Sequence, residues 1–561
     1  MKQLIECVPN FSEGRDLSVI KQITDVIEAV SGIRLLNVDP GYATNRTVVT
    51  FVGEPAQVVK AAFMAIQRAS ELIDMRHHKG EHPRFGATDV CPFVPVSEIT
   101  MAETVSFARL LAKRVGDELS IPVYCYESAA YEQKRESLAN CRAGEYEGLP
   151  EKLKSADWKP DFGPSMFNER SGAVAIGARN FLIAYNINLN TSSVRLANSI
   201  AFDVRETGRI QREGDRVNGK IINDAFGEPV RIPGTLKKVR AIGWFIKEYG
   251  IAQISMNLID ITTTPVHVAF DEVCERARDR GIRVTGSELI GMIPLQALLD
   301  AGTYFLRKQH RSVGIPDREI IRIAVKSLGL DELAPFDPEK RVIEYLLENR
   351  INPLINLSLS EFLHQTASES AAPGGGSVAA YVGALGASLG TMVANLSAQK
   401  RGWDCRWEEF SDWALKGKKN YEDLLTLVDQ DTGAFNRVME AFQLPKVTTE
   451  EVSARRDAIQ SATLSAMDIP LRVMQTAYES MDVIEAMAEA GNPNSITDAG
   501  VGALCAWSAV SGAYLNILVN AIGITDKESI ARLLNEAEQL ESLASKRNTR
   551  IQNLVRIKLK G

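Results

Sequence analysis

The sequence predicts an α+β half built from two ferredoxin-like α/β subdomains, followed by an all-α helical bundle. Three observations carry this. Runs of strand and helix period alternate in β-α-β-β-α-β order from Lys2 to Val96. A second α/β alternation begins near "NFLIAYNINLN", residues 180–190. From Ser358 onward nearly every segment reads as helix. The predicted domains are 1–181, 182–330, a connector over 331–357, and 358–561.

The elements follow in order. "KQLIECVPN" and "IRLLNVDPG" read as strands around the amphipathic "DLSVIKQITDVIEAVSG". "RTVVTFVG" is a strand, "EPAQVVKAAFMAIQRASELIDM" a helix, and "VCPFVPV" the closing strand. In the second unit, "NFLIAYNINLN" alternates as a half-buried strand should, and "QISMNLIDI", the helix "TPVHVAFDEVCERARDRG" and "IRVTGSELIGMIP" follow. "DELAPFDPEKRVIEYLLENR" carries two prolines and a short charged helix, which suits a connector. Turns are expected within the helical half at "PGGGS", "QLPK", "MDIP" and "GNPN".

At 561 residues the chain is too long for one core. With 45% hydrophobic residues, 24% charged and a net charge of -7, it reads as an ordinary soluble protein, and its acidic balance argues against a nucleic-acid partner. Residues 1–16 reach Glu6 before an apolar signal region can form, and the seven cysteines are scattered singly, so a reducing cytoplasm is expected. Two stretches, 370–399 and 499–525, carry no charge and are long enough to span a bilayer. Both are rich in Gly, Ala and Ser, and they hold Asn395, Asn516 and Asn520, with no basic or aromatic belt. That composition predicts tightly packed helices in a bundle or a homo-oligomer interface, with no membrane.

The segment "RHHKGEHPRFGATDV", residues 76–90, holds His77, His78 and His82, half of the chain's six histidines. His78 and His82 have the i, i+4 spacing of a helical metal site, but Gly80 lies between them and Pro83 drives His82 toward extended backbone. No C-x-x-C pair supplies further ligands, so no metal is expected. A histidine on a loop leading into a strand suits acid/base work near neutral pH, and equally suits a hydrogen-bonded structural role.

"VPNFSEGRD", "HKGEHPRFGATDVCPFVP", "PDFGP" and "GARNFLIAYNINL" resemble the formiminotransferase domain family. "APGGGSVAAYVGALGASLGTMVANLS", "LVDQDTGAF" and "NSITDAGVGA" resemble the cyclodeaminase/cyclohydrolase family. In this order, with "FDPEKRVIEYLL" between, the chain resembles the fused formimidoyltransferase-cyclodeaminase family over nearly its full length. The resemblance implies transfer of a formimino group from N-formimino-L-glutamate to N5 of tetrahydrofolate, a co-substrate expected to be polyglutamylated. Ring closure onto N10 with loss of ammonia then gives 5,10-methenyltetrahydrofolate. It places the transferase histidine on His82. Asp39 and Arg46 are the expected supporting groups, Asp39 orienting the histidine or a folate amine and Arg46 pairing with a carboxylate; the alternative is a turn aspartate and a structural ion pair. The family pattern D-H-N-R is here Ala43-Thr44-Asn45-Arg46, so one histidine of that pattern is missing.

Residues 161–172 correspond to the family's folate segment, which implicates Asp161, Gly163, Pro164, Ser165, Phe167, Arg170 and Gly172. Phe167 stacks on a pterin in this reading, or packs as a core aromatic. The family's cyclodeaminase base is an aspartate. Leu424, Val428, Asp431 and Phe435 step along one helical face, so Asp431 interrupts an apolar stripe, as that base or as a buried aspartate hydrogen-bonded to a neighbouring helix, while Asp429 points to solvent. The amides of Gly374, Gly375, Gly376 and Ser377 open a helix and either hold a folate carboxylate or form a plain loop-to-helix cap. Asp498 reads as an N-cap. The rival readings are a formyl-transferring folate enzyme on the same scaffold and a non-catalytic assembly module.

Overall fold

In the computed structural model, which describes residues 3–214, 219–347, 354–370 and 372–560, the first apolar run forms two strand pieces, β1 (Leu4–Cys7) and β2 (Asn10–Phe11). They are broken at Val8 and Pro9, where the proline has no N–H for a ladder. Helix α1 (Leu17–Glu28) follows, its first turn capped by the Asp16 side chain on the Ser18 and Val19 amides. Strands β3 (Ile33–Gly41) and β4 (Arg46–Gly53) form a hairpin, and α2 (Pro55–Leu72) starts with proline at its first turn. Strand β5 (Thr88–Ser97) completes the set. The pairings β3–β4, β4–β1 and β1–β5 are all antiparallel, which is the ferredoxin-like order expected from the sequence.

The sheet then extends beyond that expectation. After α3 (Met101–Leu119), β6 (Val123–Glu127) leads through α4 (Leu138–Arg142) and α5 (Glu145–Lys152) to β7 (Val174–Ala178). Strand β7 runs parallel to both β5 and β6, making seven strands in all. Ile5, Cys7, Val49, Phe51, Cys91 and Phe93 face α1, α2 and α3 in one buried core. Their neighbours, Glu6 and Arg46 among them, therefore face the other side of the sheet.

The second α/β subdomain repeats the order. Strand β8 (Ile183–Leu189), α6 (Val194–Val204), a short ribbon β9 (Arg209–Ile210) with β10 (Arg231–Ile232), β11 (Val239–Ile246), β12 (Ile251–Leu258), α7 (Val266–Arg278) and β13 (Val284–Ile290) fold into an antiparallel sheet of order β11-β12-β8-β13. Both halves of the α/β expectation are met.

Helices α8 (Leu295–Lys308) and α9 (Asp317–Leu328) follow, then α10 (Pro338–Arg341) and α11 (Ile343–Leu347). The expected connector over 331–357 lies partly outside the described residues. By compactness, Met1–Ala301 with Val325–Glu348 make one unit and Gly302–Ala324 with Asn349–Gly561 the other.

The second unit contains α12 (Leu359–Thr366), α13 (Gly375–Ala398), α14 (Trp407–Gln443), α15 (Thr449–Ala490), α16 (Ile496–Asn520) and α17 (Lys527–Leu559). The expected turn at "MDIP" is absent. Pro470 lies inside α15, where it is buried with Met467, Ile469 and Val473, and this apolar packing outweighs the hydrogen bond that proline cannot donate. Helix α13 and the segment Pro493–Asn520, which contains α16, are long and apolar enough to cross a membrane. In the bundle, Ala380, Ala384, Ala387, Ala503, Ala506 and Ala509 pack into one core with Leu424 and Met481.

Candidate active sites

The loop after α2 is not helical through His78 and His82, so their spacing does not converge on one point. His78 bonds the Asn45 carbonyl through Nε2 at 2.8 Å and accepts from Arg84 Nε at 3.2 Å through Nδ1. His82, half-buried, places Nδ1 2.7 Å from the Pro83 carbonyl oxygen. A carbonyl only accepts, so Nδ1 carries the proton and the neutral ring has a bare Nε2. Burial, then the charges of Arg46 and Arg142, push the His82 pKa down to about 3.

Those charges belong to a buried cluster on the face of the sheet away from α1, α2 and α3. The β2–β5 register shifts between Asn10 and Phe11, which pair with Val90 and Thr88 and leave Asp89 as the extra residue of a bulge. Asp89 is fully buried and pairs with Arg46 Nη1, while Arg142, at the end of α4, donates to it at 2.6 and 3.2 Å. The Phe85 amide adds a bond at 3.1 Å. Burial raises the Asp89 pKa, and the two guanidiniums more than reverse this, so the carboxyl stays below its ordinary range. Arg46 also donates to Asn10 Oδ1 at 3.2 Å. The expected partner of Arg46, a substrate carboxylate, is thus replaced by the protein's own Asp89.

Asp39 makes its contacts elsewhere. Its Oδ2 accepts the Gly291 amide at 3.1 Å and lies 3.8 Å from Arg341 Nη1. The structure therefore does not place Asp39 on His82. The Pro83 carbonyl orients the ring instead.

In the 161–172 segment several side chains hold the loop itself. Asp161 accepts from the Cys125 amide at 2.7 Å and pairs with Arg135. Arg170 donates to the Glu71 carbonyl, and Phe167 packs against Tyr146 with centroids 5.3 Å apart. Those groups serve the fold rather than an open site. Gly163 and Gly172 have φ of +81° and +66°, and a side chain on either would overlap a carbonyl, of Ile121 and Phe85 respectively. Between them, Ser165 and Met166 are exposed and Pro164 is half-buried.

In the helical unit, Leu424 and Val428 are buried and Asp431 is half-buried beside them, while Phe435 at the end of the stripe is 37% exposed. Ser377 at the start of α13 places Oγ 3.0 Å from Asp431 Oδ2, 3.0 Å from the Val428 carbonyl and 3.1 Å from Thr432 Oγ1. Burial raises the Asp431 pKa, and the Ser377 hydroxyl and amide partly offset it. Any Cβ on Gly376 would overlap the Asp431 carboxylate, so the glycine permits this approach. The amide end of α13 thus already meets a protein carboxylate, which leaves Gly374, Gly375, Gly376 and Ser377 poorly suited to a folate anion. Asp429 is half-buried and accepts the Leu354 amide at 2.6 Å, so it is not simply a solvent-facing carboxylate. Ser495, not Asp498, occupies the N-cap position of α16.

Sequence reasoning missed Asp89, Arg142, the Pro83 carbonyl and Thr432. A charge at Asp89 beside the apolar run "VCPFVPV" was a readable signal for the first. Among the described residues no group of three or more His, Cys, Asp or Glu is placed to hold a metal ion. The first site offers a neutral imidazole with one free nitrogen, and the second a carboxyl near hydroxyl and amide donors. Both arrangements can move protons.

Comparisons with known proteins divide the chain in the same order. The profile of the formiminotransferase domain, N-terminal subdomain, matches residues 4–179, that of the formiminotransferase domain 184–348, and that of formiminotransferase-cyclodeaminase 358–539. A formimidoyltransferase-cyclodeaminase of Rattus norvegicus is 43% identical, covering 97% of this chain and 98% of its own. A glutamate formimidoyltransferase of Thermoplasma acidophilum is 43% identical over 54% of this chain and 92% of its own. A methenyltetrahydrofolate cyclohydrolase of Methylorubrum extorquens is 38% identical over 36% of this chain and 98% of its own.

Proposed function

The chain belongs to the formimidoyltransferase-cyclodeaminase family, and on that premise we propose that His82 and Asp431 carry its two reactions. The enzyme transfers the formimino group of N-formimino-L-glutamate to tetrahydrofolate, then cyclises 5-formiminotetrahydrofolate to 5,10-methenyltetrahydrofolate with release of ammonia.

The observation that carries the first assignment is the bare Nε2 of His82, set by the Nδ1 bond to Pro83. As folate N5 adds to the formimino carbon, His82 takes the N5 proton. It then returns that proton to the departing glutamate nitrogen. Its low pKa makes the protonated ring a ready donor. Arg46 and Arg142, fixed by Asp89, keep the resting ring neutral. In the second reaction Asp431 accepts the N10 proton as N10 bonds to the formimino carbon. It passes a proton to the amino group that leaves as ammonia.

The same reading assigns residues 1–330 to transfer and 358–561 to ring closure. It extends to the backbone of 163–172 as a folate contact, a polyglutamylated folate, a cytoplasmic location and a homo-oligomer. The oligomer is supported by apolar side chains left exposed on α16, Leu515 at 66% and Val519 at 59%. Sedimentation velocity reads the subunit count, and a monomer at micromolar concentration removes that element.

His82→Ala tests the core assignment. Transfer is expected to fall by about 10²- to 10⁴-fold while ring closure of supplied 5-formiminotetrahydrofolate persists. Near-normal transfer in the variant ends the His82 assignment. Running N-formimino-L-glutamate beside N-formyl-L-glutamate separates the formimino from the formyl reaction.

A further inference from the structure

The Ser377 hydroxyl sits within hydrogen-bond distance of three oxygens but has only one proton to give. Two of those neighbours, the Val428 carbonyl and an ionised Asp431 carboxylate, only accept. Both are 3.0 Å away, so Ser377 cannot serve both while Asp431 is charged. The third, Thr432 Oγ1 at 3.1 Å, can donate or accept.

The geometry points to Ser377 and Thr432 as positioning residues that let Asp431 gain and lose its proton without moving a heavy atom. This rests on the reading of Asp431 as the proton-transfer group of ring closure. With Asp431 ionised, Thr432 O–H donates to Ser377, and Ser377 O–H donates to Asp431. With Asp431 protonated, its O–H donates to Ser377, whose own proton turns to the Val428 carbonyl. The same oxygen framework satisfies both states, and rotation of one hydroxyl separates them. The Val428 carbonyl loses nothing in the first state because it lies within α14. A proton taken from N10 as the N10–carbon bond forms, and returned to the leaving amine as the carbon–nitrogen bond breaks, therefore needs no rearrangement of protein heavy atoms. Ser377 is fully buried, so bulk water does not substitute for the hydroxyl.

Charge-assisted donation is the stronger of the two arrangements, so removing the hydroxyl costs the ionised form more. Ser377→Ala is expected to shift the acidic limb of the kcat/KM profile for 5-formiminotetrahydrofolate upward by about one pH unit, with slower turnover at every pH. Thr432→Val, which removes the second donor at constant shape, is expected to shift the limb the same way by less. Thr432→Ser restores the hydroxyl and is expected to bring the limb back. An unmoved limb in both Ser377→Ala and Thr432→Val, with Asp431→Asn inactive, overturns the positioning role and leaves Asp431 standing. An active Asp431→Asn overturns the reading of Asp431 itself, and this inference with it. Helical circular dichroism on the full chain separates either result from unfolding of the bundle.

Discussion

At His82 the decisive feature is which ring nitrogen is free, and a backbone carbonyl one residue away settles it. Burial and two guanidiniums then keep the ring neutral far below the pH where an ordinary imidazole of pKa about 6.5 takes a proton. We predict that kcat/KM for transfer shows no His82 titration as pH falls through about 6.5. A histidine limb there in the wild-type profile that vanishes in His82→Gln would show that the cluster does not act as described. Asp431 behaves oppositely, since burial raises its pKa. The base form is then lost as pH falls through a value above the ordinary aspartate range of about 3.9, and ring closure is expected to decline there. Asp431→Asn is expected to reduce ring closure by about 10²- to 10⁴-fold with 5-formiminotetrahydrofolate accumulating. Asp429→Asn is expected to alter stability through the Leu354 contact and to spare the chemistry; the reverse pattern, read by ammonia release, would exchange the two roles. The spacing of Asp431 on an apolar stripe was legible in the sequence because both lie on one helix. The Asp89 cluster was not, because its members come from β4, β5 and α4 and meet only through a bulge.

At the scale of elements, the periods that separate strand from helix were readable wherever one face is buried, and the two β-α-β-β-α-β orders followed. The failures have physical causes. Strands β6 and β7 belong to a parallel extension whose strands are buried on both faces, as Tyr124, Cys125, Ala175 and Ile176 are, so they lack alternation. Pro470 looked like a helix breaker because the packing that overrides it comes from other helices. The glycine run at the start of α13 looked like an anion cradle, yet Gly376 is needed for the approach of α14 and its Asp431. This predicts that Gly376→Ala, conservative by helix propensity, displaces the carboxylate and lowers ring closure by about 10²-fold or more, with transfer intact. The atoms in the way are the end of the Asp431 side chain, so the thermal midpoint is expected to change little while the carboxylate moves. Normal ring closure in this variant would mean that the Asp431 position tolerates a shift that the proton-transfer geometry forbids.

For the whole molecule, the consequence of carrying two activities in one chain is kinetic. The product of transfer is the substrate of ring closure, and a folate with an acidic oligomeric tail offers a second handle by which the protein can retain it between steps. Retention makes the second encounter intramolecular, at an effective concentration on the order of millimolar, without any new contact to the pterin. The tail must find cations that are not already paired, which excludes Arg46 and Arg142, both held by Asp89. Salt should weaken such anchoring wherever the cations are exposed. We therefore predict that, on rapid mixing with N-formimino-L-glutamate, 5,10-methenyltetrahydrofolate appears with little lag and little free intermediate from a polyglutamylated tetrahydrofolate. A clear lag is expected from the monoglutamate, and from both folates at high ionic strength. Equal lags at low salt would eliminate tail anchoring while leaving both reactions in place. A lag that persists for the polyglutamate in Asp431→Asn but not in wild type would instead place the delay in chemistry at the second site.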